Sequence, residues 1–500
     1  MSLDEQNDCV FYSASAGDAG IGLFAAEPIS PGQEVLSIRR PLIEVVETSR
    51  LKDTCSNCFA WVPKSPINSR GSRLEGVKLK QCTGCRTVAY CGKACQTESW
   101  KTRHKYECKL FAKVFPNIFP TALRAVLQLL LLREKGAWSE TEWQSVLRLQ
   151  DHVDDFRRAG KSWQSIALMS KGAHVYSGTS LREDHVQALL GRVLTNSLTL
   201  VTPTYDPVGI CLDPLAASSN HSCEYNTVVT FDGPQVSMRS LRDIPKDEEI
   251  TISYIDCTNS ISIRQSELSK RYFFTCNCPK CTSGPTQRED VFLNTEISRS
   301  EAEAAEAEGF SLLEDANQSA DHLTAFNKLE YAMQFMRKRS HLWSFDRQPW
   351  PSMRQRMSVS CISLGKWDLA LGHSLRTYFD VDPILFPPPF HPVRLVHKWT
   401  LTMLVLHISQ LSAEKDPSVE RLQDLDLNYG KIIWGLMIEV ENNVDLSHGP
   451  KSTFAGIVKE KFEEIRTDMT RKDNAKLHFS RDDLDAEWKK LREVASQLGT

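Results

Sequence analysis

No stretch of this chain stays apolar for long enough to cross a bilayer. The most hydrophobic segment, residues 123–132, is interrupted by Arg124 and Gln128. It also falls short of the ~20 apolar residues that a spanning helix needs. The N-terminus carries Asp4, Glu5 and Asp8 and has neither the basic flank nor the apolar centre of a secretion signal. An excess of one charge is missing too. A net charge of -3 gives no general pull toward nucleic acid or an anionic membrane. Basic residues such as Lys78, Lys80, Arg264 and Arg271 are sparse, and alone they argue neither for nor against direct DNA binding or nuclear residence. No clear repeat period emerges. These absences lead to the expectation of a soluble intracellular protein, in nucleus, cytoplasm or both, with no membrane partner.

What is present is the composition of a globular protein, 41% hydrophobic and 25% charged. Five hundred residues are too many for one ordinary core and suggest two to four domains. The fifteen cysteines are unevenly placed. Cys9, Cys211, Cys257 and Cys361 stand apart, whereas the others fall in two groups between Cys55 and Cys281. Close pairs in a long chain without a secretion signal favour metal over disulfides, with zinc the default ion. The densest run is Cys55-x2-Cys58, Cys82-x2-Cys85, Cys91-x3-Cys95 and His104-x3-Cys108. Each pair can grip one ion from a tight turn, so four pairs supply two closed tetrahedral sites.

Around this run the pattern changes from strand to helix. Residues 1–50 read as short strands: Cys9-Val-Phe-Tyr-Ser, Gly17 to Phe24, Glu34-Val-Leu-Ser-Ile and Leu42-Ile-Glu-Val-Val, with a turn at Pro31-Gly32. From residue 111 onward Leu123, Val126, Leu127, Leu130 and Leu131 recur at helical spacing, and Trp143, Val146, Leu147 and Leu149 continue it. Ser139 with Glu142 resembles a capping box. Residues 184–194 read as a further helix, with Asn196-Ser197 just beyond it. Strand-like runs return at 226–231, 235–240 and 250–255, separated by turns at Asp232-Gly233-Pro234 and at Pro245. Beyond residue 285 only helical patterns recur, at 325–336, 365–379, 393–411 and 453–471. Ser300-Glu-Ala-Glu-Ala-Ala-Glu-Ala-Glu is a strong helix former.

Three polar motifs lie in order within this frame: Asn220-His221-Ser222-Cys223-Glu224-Tyr225-Asn226, then Glu248 to Asp256, then Arg271-Tyr272-Phe273-Phe274-Thr275-Cys276-Asn277-Cys278-Pro279-Lys280-Cys281. The trio resembles the catalytic core of SET-domain lysine methyltransferases. The cysteine run, with Tyr90 before Cys91 and Trp100 before His104, resembles a MYND zinc finger. Together the order is similar to that of SET-and-MYND (SMYD-type) proteins, with specific motifs over residues 5–281.

That resemblance implies an α+β fold, a split SET β-fold with an inserted MYND finger and a helical insert, plus an all-α C-terminal domain. The implied boundaries are 1–50 (SET start), 51–110 (MYND), 111–200 (insert), 201–270 (SET core), 271–285 (post-SET) and 286–500 (helical, TPR-like). It implies S-adenosylmethionine as cofactor, contacted by Ala19, Gly20, Ile21, Gly22, Asn196, Asn220, His221, Tyr254, Tyr272 and Phe274. Tyr254 and Tyr272 would be catalytic walls of a lysine channel. By the same resemblance Cys55, Cys58, Cys91 and Cys95 hold one zinc, and Cys82, Cys85, His104 and Cys108 another. Cys276, Cys278 and Cys281 leave a third ion one ligand short, and Cys223 is the natural fourth.

The chemistry agrees with this list. Methyl transfer from a sulfonium to an amine is a direct displacement that needs alignment and exclusion of water. A phenol at the channel end can hydrogen-bond the reacting nitrogen. Two departures stand out: Ile21 occupies a position usually held by Arg, and Tyr225 replaces the usual proline. They sustain a rival reading, a catalytically inactive adaptor that binds proline-containing peptides. On the leading reading the partner is a histone or non-histone protein lysine, with a proline-containing peptide a further candidate ligand of the finger.

Overall fold

The computed structural model of the chain describes residues 10–62, 77–160, 163–293, 298–411, 417–473 and 479–498. Cys9 lies outside them. The alternating apolar positions of the first fifty residues form β1 (Phe11–Ser15), β2 (Ile21–Ala25), β3 (Glu34–Ile38) and β4 (Ile43–Val46). Among its described residues the finger contributes β5 (Lys80–Gln81) and β6 (Ala89–Tyr90). After the helical insert come β7 (Leu198–Val201), β8 (Pro207–Leu212), β9 (Asn220–His221), β10 (Thr227–Asp232), β11 (Gln235–Ser240) and β12 (Glu249–Ile252). The strands assemble as β1-β2-β12-β9, β10-β11-β3 and β4-β8-β7, with β5-β6 as a separate ribbon. Each of the three larger sheets joins strands from both sides of the inserted finger and helices, so the β-fold is split by them, as the SET resemblance implies.

Two compact units are present. Among the described residues the first takes those up to Tyr254 together with Glu267–Thr275. Its helical insert contains Thr121–Glu134, Glu140–Leu147, Val153–Ala159, Trp163–Ser177 and Glu183–Asn196. The first of these is buried almost end to end, and Val126, Leu127, Leu129 and Leu130 are fully enclosed. Each such side chain contributes about 1.5–3 kcal/mol of burial.

Arg124 and Gln128, the two polar residues that interrupt this apolar run, each have a partner. Arg124 Nη2 donates to the Val46 carbonyl at 2.7 Å, and Gln128 Oε1 accepts from the Glu44 N–H at 3.1 Å. Both thereby satisfy backbone groups of β4, whose residues are all buried. Glu44 itself lies between the guanidinium groups of Arg40 and Arg103. Arg103 is a finger residue that also donates to Asn57 Oδ1 within the finger at 3.4 Å, so its ion pair with Glu44 ties the finger to the sheet.

The second unit holds Ile255–Ser266 and the residues from Cys276 onward. From residue 299 its regular structure is entirely helical among the described residues. The charged run after Ser298 is a helix, Arg299–Asn317, opened by a capping box of Ser298 with Glu301. Its core is apolar, with Leu329, Met333, Leu375, Met403, Leu404, Leu436 and Val440 buried. No helix among the described residues is long and apolar enough to cross a membrane.

Two boundaries differ from the sequence expectation. The strand expected over 250–255 ends at Ile252. The chain turns there because the Tyr254 N–H donates to His221 Nδ1 at 3.1 Å instead of to a neighbouring strand. Asn196 is the last residue of its helix, and Ser197 is the extended cap. Its amide donates back to Arg192 O at 3.0 Å and across to Gln150 O at 2.9 Å.

Candidate active site and metal centres

The polar motif of residues 220–226 is organised by an unusual strand pairing. β9 runs parallel to β12, with Asn220 beside Thr251 and His221 beside Ile252. Ser222 N–H extends the pairing to Ile252 O at 3.1 Å. Asn226 closes the loop: its Nδ2 donates to Glu249 O at 2.8 Å, and its Oδ1 accepts from Thr251 N–H at 2.9 Å. These two bonds pin the loop exit next to Tyr225, where the family's proline is absent.

The pairing gathers the aromatic residues. The rings of Tyr254 and Tyr272 lie 5.0 Å apart, His221 and Tyr254 5.4 Å, and His221 and Phe274 6.1 Å. Tyr254 O–H donates to Ser219 O at 2.8 Å, and Tyr272 O–H donates to Tyr254 O at 3.2 Å. Burial pushes the Tyr254 phenol well above its ordinary value, and the nearby Tyr272 and Glu249 add to the effect. Tyr272 is also raised, chiefly by burial. Both phenols are therefore neutral near pH 7. Phe273, between the two motif aromatics, takes a left-handed φ of 62°. Its ring joins the insert core, 4.8 Å from Phe156 and 5.3 Å from His152, while its neighbours belong to the Tyr254 cluster.

Just before β2, Gly20 has a φ of 84°, and on β2 Gly22 is closely overlain by Asn220 and Glu249. Ile21 is 58% exposed, so its side chain takes no part in the cluster's core. Ala19 ends the short turn before it. The Asn220 amide donates to Ile21 O at 3.4 Å, which joins the glycine segment to the Asn-His strand. Asn196 reaches this neighbourhood through Gln150, whose Nε2 is 3.7 Å from where a Cβ on Gly20 would sit. Gln150, Ser219 and Glu249 were missed in the sequence. Gln150 closes an amphipathic stretch and Glu249 sits in a charged turn, so neither carries a local signal.

The thiols form compact groups. Cys55, Cys58, Cys91 and Cys95 place their ligand atoms within 4.8 Å of one another, and so do Cys82, Cys85, His104 and Cys108. Cys58 and Cys91 sulfurs are 3.7 Å apart, Cys82 and Cys108 3.8 Å, and Cys85 Sγ is 3.6 Å from His104 Nε2. A tetrahedral zinc with bonds of ~2.3 Å sets sulfurs about 3.8 Å apart, so the donor sets fit zinc. The Cys91 N–H donates to Cys55 Sγ at 3.4 Å, an outer-shell bond to a ligand atom. His104 ends a π-turn, Trp100–His104, and is buried there. In the second unit Cys276, Cys278 and Cys281 bring three further thiols within the same reach. Within the tail, the Gln265 amide brackets Cys276, donating to its carbonyl at 2.7 Å and accepting its N–H at 2.9 Å.

Known proteins agree with this architecture. The SET domain family profile matches residues 20–255. The chain is 34% identical over 271 residues to SET domain and MYND-type zinc finger protein 6 of Schizosaccharomyces pombe, covering 54% of this chain and 51% of that protein. It is 27% identical over 403 residues to histone-lysine N-methyltransferase SMYD3 of Homo sapiens, covering 78% and 86%. Histone-lysine N-methyltransferase ASHR1 of Arabidopsis thaliana matches at 29% over 276 residues, covering 53% of each chain. The chain thus spans about half the length of the yeast and plant relatives. The solved SET domain of LSMT bound to lysine and AdoHcy aligns over 96% of this chain and 94% of that one. It does so at 12% identity and a TM-score of 0.26, too low to decide anything. On the profile match and these relatives, the chain is similar to SET-and-MYND (SMYD-type) proteins, several of which are named as lysine methyltransferases.

Proposed function

We propose that the protein transfers a methyl group from S-adenosylmethionine to the side-chain amine of a lysine in a protein substrate. The observation that carries this reading is the β9–β12 pairing, which gathers Asn220, His221, Tyr254, Tyr272 and Phe274 beside the glycine segment of β2. The lack of side chains at Gly20 and Gly22, the aromatic face of Phe274 and the acceptor groups around Asn220 fit a ligand with an adenine, a ribose and an amino-acid part. When bound, S-adenosylmethionine supplies an electrophilic methyl group on sulfur.

The protein's own residues then have defined tasks. Ala19 to Gly22 offer backbone, and Asn196, Asn220 and His221 offer polar contacts. Tyr254 and Tyr272 form adjacent walls for an amine. The Tyr254 proton is engaged with Ser219 O, so its oxygen lone pairs are left to accept from the amine and orient it. A neutral buried phenol is no general base at pH 7, so its contribution is alignment and exclusion of water. The two thiol groups of the finger are structural zinc sites in this reading, since protein ligands fill every position.

Calorimetric titration of the zinc-loaded protein with S-adenosylhomocysteine tests the cofactor site. Binding near micromolar, about 8 kcal/mol, should be lost in Asn220→Ala. Transfer of labelled methyl groups to a lysine peptide or protein library should fall at least about a hundredfold in Tyr254→Phe, the scale of a lost transition-state contact. A folded parent that binds no S-adenosylhomocysteine would rule the transferase out and leave an adaptor as the reading to pursue.

A further inference from the structure

The space above Gly22 is filled by three of the chain's own side chains, those of Glu249, Asn220 and Ala16. A Cβ built there would lie 2.5 Å from Glu249 Oε1 and 3.1 Å from Asn220 Nδ2. The reason is the strand register. Glu249 pairs with Phe24 across β12 and β2, which puts Gly22 two residues along the same face, within diagonal reach of a long side chain. The Glu249 carboxylate can lie over β2 only because residue 22 has no side chain.

From there it holds Asn220. The Asn220 Nδ2 donates to Glu249 Oε1 at 2.8 Å and to Ile21 O at 3.4 Å. A side-chain amide nitrogen has two hydrogens, so both are committed to the protein. The amide can offer a ligand only its Oδ1, an acceptor. A carboxylate next to that acceptor makes the local potential more negative, which favours a cationic donor.

We infer that Glu249 is a positioning residue for the cofactor. It fixes the Asn220 amide so that Oδ1 faces outward, tuning the site for the ammonium of the amino-acid part of S-adenosylmethionine. Gly22 is glycine so that Glu249 can do this. The inference rests on the transferase reading above and deepens it: it separates recognition of the amino-acid end from recognition of the adenosine end.

The test compares two ligands by calorimetry on the full-length, zinc-loaded protein. S-adenosylhomocysteine carries the amino-acid part, and methylthioadenosine lacks it. Glu249→Ala should weaken S-adenosylhomocysteine binding by about tenfold or more, as expected for one hydrogen bond to a charged group. Methylthioadenosine should stay within about twofold. Glu249→Gln keeps an acceptor for Nδ2 but loses the charge, so its loss should be smaller, about threefold, with the same selectivity. Gly22→Ala should push the carboxylate aside and reproduce the Glu249→Ala signature. Combining the two should add little, because both act on one contact. Equal loss of both ligands in Glu249→Gln would make the residue merely structural and overturn the inference, as would unchanged S-adenosylhomocysteine binding in that variant. A parent that binds neither ligand overturns the transferase reading as well, so the two failures are distinguishable.

Discussion

The zinc finger and the helical insert share one unit yet reach burial by opposite routes. Among its described residues the finger has two strands of two residues each, and its part of the core includes Cys55, Cys82, Cys85 and Cys108 with Phe59, Val88 and Tyr90. The insert packs Val126, Leu127, Leu129, Leu130, Val146, Leu189 and Leu190 with no thiol among its buried members. A segment of that size with so little apolar surface cannot offset its chain entropy by burial alone. Its stability has to come from metal–thiolate bonds, whereas the insert depends on side-chain packing.

The largest expected effect follows from that contrast. A structural zinc contributes about 10–16 kcal/mol to a finger near pH 7, more than most domains have in total. Chelation should therefore abolish amide protection across residues 78–110 in hydrogen-exchange mass spectrometry. The helix Thr121–Glu134 and the helices beyond residue 299 should keep theirs. Protection lost uniformly along the chain would mean that the metal holds the helical regions too, and the contrast would collapse. The complementary change, Leu130→Ala, should cost about 2–5 kcal/mol in thermal or denaturant unfolding. Zinc content, read by mass spectrometry of the native protein, should not change.

A smaller effect is expected where the two kinds of core meet. Glu44 is buried between Arg40 and Arg103, and burial pushes its carboxyl up while both guanidinium groups oppose the shift. The two arginines are the groups that favour its charged form. Glu44→Gln leaves two cations facing a neutral amide, at a cost of about 3 kcal/mol. That cost should appear in the zinc-loaded protein and largely vanish after chelation, because Arg103 departs with the finger. A cost that persists without zinc would place the contribution of Glu44 in the sheet and not at the junction.

The same contrast explains what the sequence made legible. The thiol pairs could be read because each is local: two thiols within a tight turn need only a spacing. The burial of residues 121–134 was legible because helical periodicity is local as well. Glu249 was invisible because its partners, Gly22 and Asn220, are brought to it by a β2–β12 register and a parallel β9 that no local pattern encodes. The end of β12 was misplaced for the same reason. Residues 250–255 keep an apolar alternation, but a long-range acceptor, His221 Nδ1, takes the Tyr254 N–H and turns the chain. The helix read over 184–194 runs on to Asn196, whose amide donates to Arg192 O and to the remote Gln150 O.

The smallest prediction tests whether local rules carry the same weight in both units. Ser139 and Ser298 open helices with the same capping box, paired with Glu142 and Glu301. Each serine accepts from the backbone N–H of its partner glutamate, at 3.2 Å and 3.3 Å. The first helix belongs to the insert, with Trp143 and Val146 buried, and the second opens the all-helical region, with Ala302 and Glu306 buried. A cap acts on orphan N–H groups of the first turn, so its effect depends little on the core behind it. Ser139→Ala and Ser298→Ala should each cost about 1 kcal/mol, and neither should change zinc content. If each cost is read from amide exchange within its own helix, chelation should leave both values unchanged. A Ser139 cost that grows when zinc is removed would mean that the insert draws stability from the finger, so that the metal's influence extends beyond the thiolate core.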